Sequence, residues 1–403
     1  MPAPLKIYLD SSDFSVLSDP AHLSRIEIRE LRSQLFKWRA ENTVKFFYSA
    51  VHVVEAAAVE AQYTEKAKER SRLIHDLCGS NVFDIFPEVL RRETLALAGK
   101  SINCNFARND GRWFPFEISI NAFSETPHLT IETLRPNIEK MGPGRWESVM
   151  KSPALQRELL AASRAVLNRK RESTIKELMS TFSIDYVDAD FLNKFSLGIK
   201  KREELSAYFL RRLRDPTFLI QMRPSNYNGF NDLFEWMRST SKSFHETLSS
   251  VIEALQTMCA RAEDGEEAAR LIASSSSGDG LQYFAVQLYE HLACGLSTHA
   301  EAEVIEKLKL DDFIRFAPGS YTFVFVAMDA VCRSFTKSPR RPKQSDMVDM
   351  FHSFYAPYVD IYRTDGFMAP ITEKYVERFD TTVVGKLADL IETVQKVLAT
   401  RPK

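Results

Sequence analysis

Five acidic side chains, Asp10, Glu55, Asp346, Asp349 and Asp365, are placed along this chain where carboxylates can do chemistry. Asp10 follows the β-rich run Leu5-Lys6-Ile7-Tyr8-Leu9, and Asp365 follows Val359-Asp360-Ile361-Tyr362-Arg363-Thr364. Each is therefore expected at the carboxyl end of a strand, and ligands of open α/β sheets bind outside those ends. Glu55 falls about one turn into a predicted helix, while Asp346 and Asp349, at i and i+3, share a helix face. Carboxylates converging on one point repel, and some take up protons, unless a cation sits between them. Oxygen ligands without Cys or His suit Mg²⁺ or Mn²⁺ rather than zinc. Such a centre suits phosphodiester hydrolysis, because the metal binds the phosphate, lowers the pKa of the attacking water and stabilises the leaving oxygen.

The elements that must position these residues alternate at both ends of the chain. A strand over Leu5–Leu9 meets the turn Asp10-Ser11-Ser12-Asp13, where Asp can cap a helix. A helix is predicted from about His22 to Arg39, a strand over Thr43–Ser49, a helix from Val51 that Ser49 can cap, and a third strand over Val82–Phe86 stopped by Pro87. This rhythm implies a parallel sheet with crossover helices. Between Lys100 and Leu310 helical patterns dominate: Ser152–Asn168, Ser173–Thr181, Phe191–Asp215, Gly229–Arg261 and Gly280–Ala293, with Ser274–Gly280 a loop by composition. Helices over Tyr321–Phe335 and Met347–Tyr355, a strand over Val359–Arg363, a strand near Thr382–Val384 and a helix over Lys386–Leu398 restore the alternation. The expected architecture is an α/β domain split in sequence (1–98 and 311–403) around an all-α insertion (99–310).

Composition limits the function classes. With 403 residues, 44% hydrophobic and 27% charged, the chain is an ordinary globular one, and no apolar run approaches the ~20 residues of a membrane span. A net charge of −1 leaves nucleic-acid binding to a local basic surface. Five scattered cysteines and no signal-peptide pattern fit a cytoplasmic protein with free thiols.

The ordered acids resemble those of PIN-domain nucleases. Ile7-Tyr8-Leu9-Asp10-Ser11-Ser12 is similar to that family's opening strand and acidic turn. Tyr48-Ser49-Ala50-Val51-His52-Val53-Val54-Glu55 is similar to its second strand and helix. Ser345-Asp346-Met347-Val348-Asp349-Met350-Phe351-His352 and the run Tyr358–Asp365 are similar to its C-terminal acidic helix and its strand ending in Thr-Asp. The resemblance spans about the first 95 and last 85 residues and leaves the insertion unmatched. It implies a PIN-like parallel sheet flanked by helices and a Mg²⁺- or Mn²⁺-dependent nuclease, an endonuclease with RNA favoured over DNA. Asp10 and Asp365 would ligate the principal metal, and Glu55 and Asp349 would complete its shell. Asp346 would be auxiliary, or the third ligand in place of Asp349. Ser12 would orient Asp10 or a bound water, and Thr364 would do likewise. The insertion would shape access, bind a protein partner or assemble a homo-oligomer, with no membrane partner.

Each feature also has a plainer reading. Asp10 could be only a helix cap, Asp13 and Asp346 first-turn charges, Glu55 an exposed helical charge, and Asp365 before Gly366 a turn residue. His352, three residues after Asp349, could be a general acid or a phosphate ligand, and otherwise a hydrogen-bonded structural histidine; His52 has the same two readings. Lys337, Arg340, Arg341 and Lys343 form a Pro-stiffened basic loop that could guide a nucleic-acid backbone, or be a solvated surface. His291-x-x-Cys294 with His299 lacks a second Cys/His pair for zinc. Gly99-Lys100-Ser101 has Thr94 where a phosphate loop needs glycine. From a different class, a PIN-like scaffold that binds nucleic acid or protein without cutting is the alternative.

Overall fold

The computed structural model describes residues 3–57, 61–100, 105–114, 131–169, 171–182, 185–197, 199–221, 309–333 and 343–401, with short helical stretches between 239 and 292. The chain divides into two compact units, one made of residues 1–116 with 233–403 and the other of residues 117–232.

The first unit is built on a parallel sheet of order β2-β1-β5-β6: β1 Leu5–Tyr8, β2 Val44–Phe47, β5 Ile361–Arg363 and β6 Thr382–Val384. β1 is central, with Leu5, Ile7 and Tyr8 fully buried, as expected of a parallel strand covered on both faces. Tyr8 aligns with Phe47 on one side and Tyr362 on the other. Helices Ser11–Ser18 and Ile26–Ala40 carry the chain from β1 to β2.

Three local expectations are corrected. The helix predicted over His22–Arg39 is divided into Pro20–Leu23 and Ile26–Ala40, because Arg25 is extended (φ −80, ψ 132) and Asp19 caps the first piece through the Ala21 N–H. The helix predicted over Phe191–Asp215 is likewise two, Tyr186–Ser196 and Arg202–Arg212; Lys201 is extended and donates its N–H to Glu204 at 3.0 Å. The third strand is only Val82–Phe83 (β3). It touches the parallel sheet through one bridge, Tyr48 to Val82, and pairs antiparallel with β4, Ala107–Arg108.

Helix Pro318–Cys332 is apolar on nearly every side and buried over most of its length, which marks a core helix. It lays Phe323 over Phe351 and Phe354, at ring distances of 5.4 and 4.3 Å. Gly319 makes that approach possible, since a Cβ there would stand 2.7 Å from the Phe354 carbonyl oxygen. The second unit carries helices Pro153–Arg169 and Arg171–Phe182 besides the divided pair. There buried Asp188 accepts from Tyr208 and from Arg212 at 2.8 Å. Among the described residues no helix is long and apolar enough to cross a membrane, and Cys78 and Cys332 are free thiols.

Candidate active site

The order β2-β1-β5-β6 means that the chain leaves β1 in one direction and later returns on its other side. The gap between the carboxyl ends of β1 and β5 is thus the topological switch point, the place where open α/β sheets hold ligands. Asp10 follows β1 and Asp365 follows β5, so the two acids stand at the ends of adjacent strands.

Asp10 is 6% exposed and caps helix Ser11–Ser18. Its Oδ2 accepts from the Ser12 hydroxyl and, at 3.3 Å, from the Ser12 N–H. Its own N–H donates to Asp13 at 3.1 Å. Asp13 is buried and paired with buried Arg363 at 2.9 Å. Burial raises the Asp13 pKa to about 7, against the lowering pull of Arg363. The pair locks the turn after β1 to the last residue of β5. Asp365 uses Oδ1 to accept from the N–H groups of Phe367 at 2.9 Å and Met368 at 2.6 Å, and the Thr364 hydroxyl bonds Tyr362.

Glu55 reaches the same region from helix Ala50–Ala56, and its carboxylate accepts from the Ser11 hydroxyl and from His352 Nε2 at 2.8 Å. Burial pulls the His352 imidazole down, but the hydrogen bond and charge of Glu55, with Asp10 and Asp349 behind it, hold its pKa above the ordinary value. His52 takes the structural reading: Nδ1 accepts from the Ser49 N–H at 3.1 Å and Nε2 donates to the Leu9 carbonyl at 2.8 Å. Burial, then His352, depresses its pKa, so it stays neutral.

Asp349 lies on helix Gln344–Ser353, half-buried. Its pKa is pushed up to about 8, first by burial and then by the charges of Asp10, Glu55 and Asp365, with His352 opposing. The four acids Asp10, Glu55, Asp349 and Asp365 thus share one electrostatic neighbourhood. Unlike the other three, Asp349 has no hydrogen-bond donor among the described residues. Asp346 instead closes the capping box of its helix, accepting from the Lys343 N–H at 2.8 Å. Among the described residues no three His, Cys, Asp or Glu side chains already form a ligand set for a metal ion. The donor chemistry still fits a hard divalent cation: three carboxylates act on Asp349 as like charges, and Asp349 has no donor among the described residues to satisfy it.

Lys343 is exposed at the start of the Asp349 helix, whereas Lys337, Arg340 and Arg341 lie outside the described residues, as do His291, Cys294 and His299. The Ser12 hydroxyl lies against Asp10, whereas sequence reasoning gave no role to Ser11, Tyr8 or Arg363. All three make their contacts across the fold with residues far away in the chain, which no local pattern records. No protein-family model, curated protein or solved structure matches this chain.

Proposed function

We propose that the chain is a Mg²⁺- or Mn²⁺-dependent nuclease of PIN-like design, hydrolysing phosphodiester bonds in nucleic acid, RNA ahead of DNA. The observation that carries this reading is Asp349: a half-buried carboxylate without a donor among the described residues, its pKa raised first by burial and then by three other carboxylates at a sheet's switch point. Asp10 and Asp365 would hold the cation from the ends of β1 and β5, and Glu55 and Asp349 would close its shell from two helices. When bound, the cation would supply charge to the phosphate and acidity to water. Ser12 holds one oxygen of Asp10, and the Asp13–Arg363 pair fixes the strand ends, so these two acids are held before substrate arrives. Lys343, with the basic residues 337–341, would receive the phosphate backbone.

The test compares wild type with Asp10→Asn and Asp365→Asn on labelled RNA and DNA, each with Mg²⁺, Mn²⁺ or chelator. The wild type should cut only with metal, and each variant should be slower by at least about a hundredfold, beyond what losing an outer partner of a metal ligand does. Equal cleavage by all three proteins would overturn the assignment. No cleavage, together with no Mn²⁺-induced rise in melting temperature at millimolar metal, would favour the non-cutting scaffold.

A further inference from the structure

Glu55 does not hold its own position. Both of its side-chain donors, Ser11 Oγ and His352 Nε2, engage Oε2, and among the described residues none engages Oε1. An ionised carboxylate only accepts, so Nε2 carries the hydrogen in this contact. His352 Nδ1 lies 2.6 Å from Tyr8 Oη, which in turn lies 2.7 Å from Ser49 Oγ. The Tyr8 ring is stacked between Tyr355 at 5.5 Å and Tyr362 at 5.8 Å, so the phenol has no room to swing. His352 is 2% exposed. With its ring nitrogens engaged by Glu55 and Tyr8, it takes the hydrogen-bonded structural reading.

We propose that His352 is the positioning residue for Glu55: anchored by Tyr8, it fixes Oε2 and leaves Oε1 for a divalent cation. The inference rests on the cation-site reading above. His352 is also one turn after Asp349 on the same helix face, so the contact that orients Glu55 ties Asp349's helix to Glu55's helix. One imidazole therefore sets the spacing of two of the four carboxylates. Partners of this kind, one step removed from a metal, typically change affinity 10–100-fold when lost.

The readout is Mn²⁺ affinity, by titration of the free ion's paramagnetic signal, with cleavage not required. His352→Ala should weaken Mn²⁺ binding about tenfold or more. His352→Gln, whose side-chain amide keeps a donor, should recover most of it, and Tyr8→Phe should weaken it a few-fold. In a Glu55→Gln background the His352→Ala effect should disappear, as a double-mutant cycle requires of a residue acting through its partner. If His352→Ala fails to fold, the Gln and Phe variants carry the comparison. Wild-type Mn²⁺ affinity in His352→Ala, or equal losses in the Ala and Gln variants, would overturn the positioning role while leaving the cation site standing. Wild-type affinity in Asp10→Asn and Asp365→Asn would instead remove the cation site.

Discussion

Two acids of the first unit, buried Glu93 and half-buried Asp349, have pKa values raised by the same first cause and stand in opposite surroundings. Burial lifts Glu93 to about 7 and Asp349 to about 8. Glu93, on helix Phe86–Leu97, accepts from the Gly319 N–H at 2.7 Å, the Ser320 N–H at 2.8 Å, the Ser320 hydroxyl at 2.5 Å and the Tyr358 hydroxyl. It thereby satisfies the first turn of helix Pro318–Cys332, where the helix dipole also favours negative charge. Asp349 has other carboxylates around it and no donor among the described residues. Burial is therefore not what separates these two acids; the supply of donors is. A buried acid with every oxygen engaged holds elements together, and one facing like charges is open to a cation.

The largest effect should come from breaking the satisfied site. Glu93→Ala would take away the acceptor of the Gly319 and Ser320 N–H groups and of the Ser320 hydroxyl in a fully buried place. The expected loss is roughly 3–5 kcal/mol in urea unfolding, and added Mn²⁺ should not change the size of that deficit. A loss under about 1 kcal/mol, the range of an ordinary surface change, would contradict the comparison from its structural side.

The same contrast explains how much was legible beforehand. The strands that carry Asp10 and Asp365, and the run Thr382–Val384, are short β-rich segments bounded by turn chemistry, so their presence follows from local pattern. The partner of Val82–Phe83 does not, because Ala107–Arg108 is a two-residue strand with no pattern of its own. Glu93 carries no local signal of its role, because its donors lie more than 200 residues later in the chain. Tyr8 reads as strand core, which it is; its hydroxyl's partner is 344 positions away. Acid types and order were visible in the sequence. The hydrogen bonds that hold Glu55 and lock the strand ends were not, since they are properties of packing between distant segments.

Asp349→Asn should have the opposite sign to Glu93→Ala. At pH 8 without metal it removes a like charge from the cluster while keeping the side chain's size, so the melting temperature should rise by about 2–4 °C. With millimolar Mn²⁺ the order should reverse, because the wild type gains ligand stabilisation that the variant loses. Destabilisation without metal, by differential scanning fluorimetry, would mean that Asp349 has a structural partner after all.

The smallest expected effect is a slope. Asp13, Glu93 and Asp349 all have folded pKa values raised above the ordinary carboxylate range, to about 7, about 7 and about 8. Between the unfolded values near 4 and these folded values, the native chain binds more protons than the unfolded one. Metal-free stability should therefore fall as pH rises from about 4 to about 8 and level off above. Asp349→Asn deletes one contributor and leaves the other two, so its stability should fall less than the wild type's throughout that window, and above about pH 7, where Asp349 is the last of the three to titrate, it should be nearly level. Saturating Mn²⁺ should flatten the wild-type curve in the same way, because a bound cation replaces the proton that Asp349 would otherwise take up. Parallel wild-type and Asp349→Asn curves in urea unfolding from pH 5 to 8.5 would show that neither burial nor the neighbouring charges hold the Asp349 proton, and the contrast with Glu93 would then fall.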